Sequence, residues 1–221
     1  MTHITILGGH GKVALLLAPL LVRCGDTVTS VIRNPDHTAE VAATGATPRV
    51  CDIEHADTAE LTALLTGSDA VVFTAGAGGG NPPRTYAVDR DAAIRSMTAA
   101  ETAGVPRYVM VSYLGAGPGH GTPTDSSFFP YAEAKATADQ ALRTSGLDWT
   151  IVMPGRLTLD PPSGRIDPTA VRRPDIPGTS RANVAHVVAA VLAEPATARH
   201  ELPFTDGPVP IADAVRDLAR P

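Results

Sequence analysis

The chain has 221 residues, with 18 Lys and Arg against 23 Asp and Glu, a formal net charge of −5, 43% hydrophobic and 19% charged residues. That length suits one α/β domain with a sizeable core, and an acid excess without any basic run argues against nucleic acid as a partner. The longest apolar run, Val13 to Val22, is too short to span a bilayer and holds Pro19, so no membrane association is expected.

Ile4–Leu7 is short, β-branched and closed by glycine, the pattern of a buried strand. A helix is expected from Lys12 to about Arg23, stopped by Gly25 and kinked at Pro19, which removes an amide donor and crowds the preceding turn. Thr27–Ile32 reads as a strand, His37–Thr44 as a short helix ending at Gly45, Thr47–Cys51 as a strand, Asp57–Thr66 as a helix ending at Gly67, and Ala70–Thr74 as a strand. The loop AGAGGGNPP, residues 75 to 83, precedes a long helix from about Val88 to Ala103 and a strand, Tyr108–Ser112. A second loop, GAGPGHGTPTDSSFFP, leads to a helix from about Tyr131 to Ser145 and a strand, Trp149–Met153. A Pro- and Gly-rich stretch follows from 154 to 179. A helix at about Ala182–Leu192, a weak strand near Glu201–Thr205 and a last helix, Ile211–Leu218, complete the order.

Strands thus alternate with helices at least six times. This predicts a Rossmann-like, doubly wound α/β fold, a parallel sheet with helices on both faces. Right-handed crossovers then bring the strand C-termini to one edge. The chain reads as a single domain over 1–221, with a small cap within 155–180. No basic region precedes an apolar stretch at the start, so no secretory signal is expected. Cys24 and Cys51 give no disulfide framework, and the expected location is the cytoplasm.

Between the first strand and the first helix stands GGHGKVA. Gly8 permits a sharp turn, Gly11 leaves room for a phosphate to approach the backbone, and Ala14 lets the helix pack closely on the strand. The helix start points free amides and the positive end of its dipole at that phosphate. The spacing is G-x-x-G-x-x-A, and it is not a Walker A loop, since Val13 stands where Ser or Thr would be. A free ribose 2′-hydroxyl usually meets Asp or Glu at the end of the second strand; here that place holds Arg33, which fits a 2′-phosphate through charge-assisted hydrogen bonds. The cofactor expected is therefore NADP, with Lys12 as a second positive charge. Asp52 either accepts from an adenine amino group or caps a turn, and Ile53 packs on the adenine face. Ala75 and Gly76, ending the fourth strand, offer a small backbone surface to a ribose.

YAEAK places Tyr131 and Lys135 at i and i+4, on one face of a helix. A nearby ammonium favours the phenolate and lowers the tyrosine pKa from about 10. Such a tyrosine suits proton transfer to or from a substrate oxygen as hydride moves. Ser112, ending the preceding strand, is a further candidate for orienting the acceptor.

With these motifs in order, the sequence resembles the atypical short-chain dehydrogenase/reductase superfamily, in its NAD(P)H-binding, NmrA-like branch. The resemblance rests on GGHGKVA, VIRNP, CDI, VVFTAGA, RYVMVSYLGA, YAEAK, LDWTIVMPGRL and SRANVAHVVAAVL, and covers nearly the whole chain. It implies that Gly8, Gly11, Lys12 and Val13 hold a pyrophosphate and Arg33 a 2′-phosphate. It places Asp52 and Ile53 at adenine, Tyr131 and Lys135 beside the ribose and nicotinamide, and Pro154–Gly155 flanking the nicotinamide. Family members often read Ser-Ser where this chain has Ser112–Tyr113, and Asp where it has Asn183. Two functions follow as expectations. One is an NADP-dependent oxidoreductase acting on a small carbonyl, quinone or flavin-like substrate; the other is a non-catalytic NADP sensor that regulates a protein partner.

Overall fold

The computed structural model describes residues 1–78, 80–172 and 175–220. Gly79 of the first long loop, and Arg173 and Pro174 of the Pro- and Gly-rich stretch, lie outside the described residues. The strands are β1 (His3–Leu7), β2 (Thr27–Ile32), β3 (Thr47–Val50), β4 (Ala70–Phe73), β5 (Arg107–Val111), β6 (Asp148–Pro154), β7 (Leu157–Thr158), β8 (Arg165–Asp167), β9 (Thr179–Ser180), β10 (His200–Asp206) and β11 (Val209–Pro210). The helices are α1 (Lys12–Arg23), α2 (Thr38–Ala42), α3 (Thr58–Leu65), α4 (Pro82–Thr85), α5 (Ala93–Ala103), α6 (Phe129–Thr144), α7 (Arg181–Ala193) and α8 (Ile211–Leu218).

The main sheet runs β11-β8-β10-β6-β5-β4-β1-β2-β3. It is parallel from β3 to β10, while β8 and β11 extend the far edge antiparallel. Side chains alternate across each strand, so each face collects its own core. Ile4, Ile6, Val28, Val72, Val109 and Val152 meet Leu17 and Leu21 of α1 and Val184, Val188 and Val191 of α7 on one face. Leu7, Val31, Val71, Phe73, Tyr108, Met110 and Ile151 meet Leu61 and Leu65 of α3, Met97 of α5 and Leu142 of α6 on the other. This is the doubly wound arrangement. β1 lies between β2 and β4, so the chain changes direction across the sheet there. A crevice opens outside the strand C-termini at that switch point.

The boundaries that differ from expectation have local causes. The helix expected from Val88 begins at Pro82, because the Asn81 side chain accepts from the Arg84 amide at 3.1 Å and prolines tolerate a first helical turn. A π-helical segment, Tyr86–Ala92, joins α4 to α5. Asp57 caps α3 reciprocally with Glu60, so it precedes that helix. The expected helix His37–Thr44 divides into a short turn of 3-10 helix, Pro35–His37, and α2. α1 continues through Pro19. Within 155–180, β7 and β9 pair with each other while β8 joins the main sheet.

Candidate active site

A cavity of about 550 Å³ lies at the C-terminal edge of the sheet, bordered by residues that follow β1 to β5. Its floor is the first glycine loop. Gly8 has φ +90°, and a Cβ there would stand 2.6 Å from the Ala75 backbone. Gly9 is equally tight, with a Cβ 2.6 Å from Ser30; its need for glycine comes from a neighbouring strand and leaves no mark in the local motif. Gly11 has an ordinary φ of −63°. A Cβ on it would meet Gly8 O at 3.1 Å and little else, so its free side opens on the cavity. α1 starts there with no side-chain cap and no acid in its first turn. Lys12 and Val13 border the cavity, and Ala14 is buried against the sheet.

Arg33 stands at the rim beyond β2, its side chain 55% exposed and its Nη1 3.6 Å from Glu54 Oε2. Glu54 is 17% exposed and also accepts from Arg84 Nε at 3.0 Å. His10 of the glycine loop and His37 stack at 3.5 Å beside them, with His10 Nε2 2.7 Å from Glu40. Both histidines border the cavity. Asp52 forms a turn: one carboxylate oxygen accepts from the Glu54 amide and the other lies 3.1 Å from His55 Nδ1. Asp52 and Ile53 still border the cavity.

The other end is assembled from β4, β5, the π-helical segment and α6. Ala75, Gly76, Asp89, Ser112 and Tyr131 border the cavity here. Tyr131 packs its ring 5.5 Å from Tyr113 and 5.3 Å from Phe128. Its pKa is pushed above the ordinary phenol value, first by burial and then by the Asp89 and Asp139 carboxyls and Tyr113. The expected lowering by Lys135 is thus reversed. The cause is where Lys135 points: it is 1% exposed, and its Nζ donates to Val111 O at 2.9 Å and to Met110 Sδ at 3.2 Å. Lys135 does not border the cavity. Its ammonium instead draws down the pKa of two buried acids, Asp89 and Asp139, both pushed up by burial.

Ser112 donates its hydroxyl hydrogen to Asp139 at 2.5 Å. The second oxygen of Asp139 is buried without a partner among the described residues. Neither acid was expected from the sequence, yet each left a signal. Asp139 sits four residues beyond Lys135 and eight beyond Tyr131, continuing their helical stripe. Asp89 falls on the stripe of Ala92, Ala93 and Ser96, which turns wholly inward. Pro154 and Gly155 lie outside the cavity lining. Gly155 donates to Phe204 O at 2.9 Å, and a Cβ on it would meet Thr205 Cγ2 at 2.9 Å, which accounts for the glycine by strand packing.

An open helix N-terminus, a glycine floor and a rim arginine fit the phosphates of a dinucleotide. A phenol, a serine and a carboxyl at the far end offer donors and acceptors for a reacting oxygen.

Comparison with known proteins agrees with this geometry. The family model described as NAD(P)H-binding matches residues 8–195. An uncharacterized sugar epimerase of Bacillus subtilis (strain 168), YhfK, is 33% identical over 216 residues, spanning 96% of this chain and 98% of its own. A UPF0659 protein of Schizosaccharomyces pombe is 33% identical, spanning 97% of this chain and 94% of its own. A solved structure from Bacillus halodurans, provisionally described as an NAD-dependent epimerase/dehydratase, superposes with a TM-score of 0.90 at 29% identity, covering 98% of this chain and all of the other. The chain belongs to the NAD(P)H-binding family, in the NmrA-like branch of the atypical short-chain dehydrogenases/reductases.

Proposed function

We propose that the protein is an NADP(H)-dependent oxidoreductase acting on a small carbonyl, quinone or flavin-like acceptor. One observation carries this reading: a single cavity joins an uncapped helix N-terminus and Arg33 at one end to Tyr131 and Ser112 at the other. The amides around Gly8, Gly11, Lys12 and Val13 take the pyrophosphate, and Arg33 takes the 2′-phosphate that distinguishes NADP from NAD. Asp52 and Ile53 border the adenine side, while Ala75 and Gly76 present backbone to the ribose. Bound there, the cofactor supplies or accepts the hydride.

Tyr131, with its pKa held up, keeps its phenolic proton near neutral pH and polarises the acceptor oxygen as an O–H donor. Ser112 gives its hydroxyl hydrogen to Asp139, so its oxygen is left to accept a hydrogen bond from an O–H or N–H group elsewhere on the substrate. Lys135 supports the site from behind the cavity wall through the Val111 carbonyl. Pro154, which ends β6, and Gly155 after it are assigned in this proposal to backing the nicotinamide side. The two cysteines are free, and no helix among the described residues is long and apolar enough to cross a membrane; the cytoplasm is the location we propose.

Titration with NADPH and NADH tests the cofactor assignment. NADPH should bind more tightly, and Arg33→Ala should lose roughly 1.5–3 kcal/mol for NADPH alone, about ten- to a hundredfold. Equal curves for the two nucleotides in the unmodified protein overturn it. NADPH consumption against a panel of quinones, aldehydes and flavins tests the reaction. Sugars belong in the same panel because of the name YhfK carries. An epimerase returns its hydride, so it would invert a stereocentre without net NADPH consumption. A second reading, an NADP sensor, is favoured by the commitment of Lys135 to β5. It predicts tight NADPH binding, no turnover, and a protein partner whose affinity follows NADPH.

A further inference from the structure

Among the described residues, Asp89 is the one acid that both borders the cavity and is almost wholly buried, being 1% exposed. It sits on the π-helical segment between α4 and α5, a departure from α-helix that recurs at functional sites. One carboxyl oxygen accepts from the Ala77 amide at 2.9 Å. The other lies by Gly76, where a Cβ would stand 3.1 Å from it, so glycine at 76 leaves that oxygen an open approach. The charged and titratable groups that act on it are Lys135 and Tyr131 of α6 and Arg84 of α4. Burial opposes its ionisation, while the Lys135 ammonium, the Ala77 amide and the Arg84 guanidinium favour it. These influences act in opposite directions on one buried carboxyl, and a positive charge brought beside it favours its ionised form.

We propose that Asp89 is the proton-exchanging group of this site: protonated beside a neutral dihydronicotinamide, and ionised beside the positively charged oxidised ring. The proposal rests on the reading that the cavity holds a nicotinamide cofactor. In the reductive direction the acceptor carbon gains hydride, its oxygen gains the Asp89 proton, and the oxidised cofactor remains beside the Asp89 carboxylate. Solvent returns a proton to Asp89 once reduced cofactor replaces oxidised. Tyr131 holds the acceptor oxygen throughout and keeps its own proton. Charge is thereby balanced in a site with little water to screen it.

The test needs no substrate. Calorimetric titration of the full chain with NADP⁺ and with NADPH, each in buffers of different ionisation enthalpy, counts the protons exchanged on binding. Across mildly acidic to neutral pH, NADP⁺ should release more protons than NADPH. Asp89→Asn should bind both nucleotides and abolish the difference, whereas Asp139→Asn should retain it. Equal proton counts at every pH with both nucleotides bound overturn the Asp89 assignment alone, as does a difference that survives in Asp89→Asn. Failure of either nucleotide to bind overturns the cofactor reading and this proposal with it. If Asp89→Asn does not fold, infrared difference spectra of the unmodified protein decide. A protonated carboxylic C=O band present with NADPH and lost with NADP⁺ is expected, and its absence overturns the proposal.

Discussion

The two ends of the cavity are built in opposite ways. At the β1–β3 end the charged groups sit on loops, at least partly open to water. There Asp52 turns onto Glu54 and His55, and Arg33 and Arg84 share Glu54. At the β4–β5–α6 end the charges are buried: Lys135 reaches Val111 and Met110, and Asp139 receives Ser112. Water screens the first set, while the second must be balanced in place. Substitutions of the charged groups at the open end should therefore change affinity and leave stability, and those of the charged groups at the closed end should change stability first.

The largest expected effect is at Lys135. The folded pKa values of Asp89 and Asp139 are raised above the ordinary unfolded value near 3.9. The folded state then binds their protons more tightly than the unfolded chain. That contribution is fully present below about pH 4 and is lost as pH rises through the raised folded values. Lys135 offsets the loss. Lys135→Ala should cost about 3–5 kcal/mol near neutral pH, the usual penalty for removing one partner of a buried charged set, and less in acid. Urea unfolding at both pH values measures this. A variant as stable as the parent at neutral pH would erase the contrast between the two ends.

A smaller effect separates two glycines of one loop. Gly8→Ala forces a side chain into φ +90° and against the Ala75 backbone. It should lose at least about 1–3 kcal/mol of stability, read by thermal unfolding. Gly11→Val has an ordinary φ and meets little but one carbonyl, so it should fold and fail to bind NADPH. Normal NADPH binding by a folded Gly11→Val would remove the phosphate from this place.

These contrasts explain what could be read in the sequence. The open end is local: GGHGKVA and the arginine just after β2 carry their chemistry within a few residues, and the strand–helix alternation placed them at the same edge. The closed end depends on choices made after folding. Helical spacing put Tyr131 and Lys135 on one face, but nothing in it decides that Lys135 takes the Val111 carbonyl while Tyr131 faces the cavity. Asp89 and Asp139 lie on inward stripes where apolar residues are the rule, and only a count of polar residues on those stripes would have found them. β8 and β11 have three and two residues, too few for any periodicity, so the antiparallel edge was not legible.

The smallest effect expected is at Glu54, and it tests the open end from the opposite side. Glu54 Oε2 lies between Arg84 Nε at 3.0 Å and Arg33 Nη1 at 3.6 Å. Arg84 has a second anchor, the Ala77 carbonyl at 2.7 Å, so it does not depend on Glu54 for its place. Arg33 is held more loosely and points to the rim, where Glu54 competes with a 2′-phosphate for its charge. Exposed pairs of this kind are worth about 0–1 kcal/mol. Glu54→Gln keeps an acceptor for Arg84 while releasing Arg33. NADPH affinity should rise up to about fivefold, NADH affinity should stay where it was, and the gain should shrink in high salt. In the double variant with Arg33→Ala the gain should vanish, because the freed charge is the whole of its cause. A Glu54→Gln variant that binds NADPH and NADH equally less well would show that Glu54 holds the loop after β3 together. The open end would then be a packed structure like the closed one.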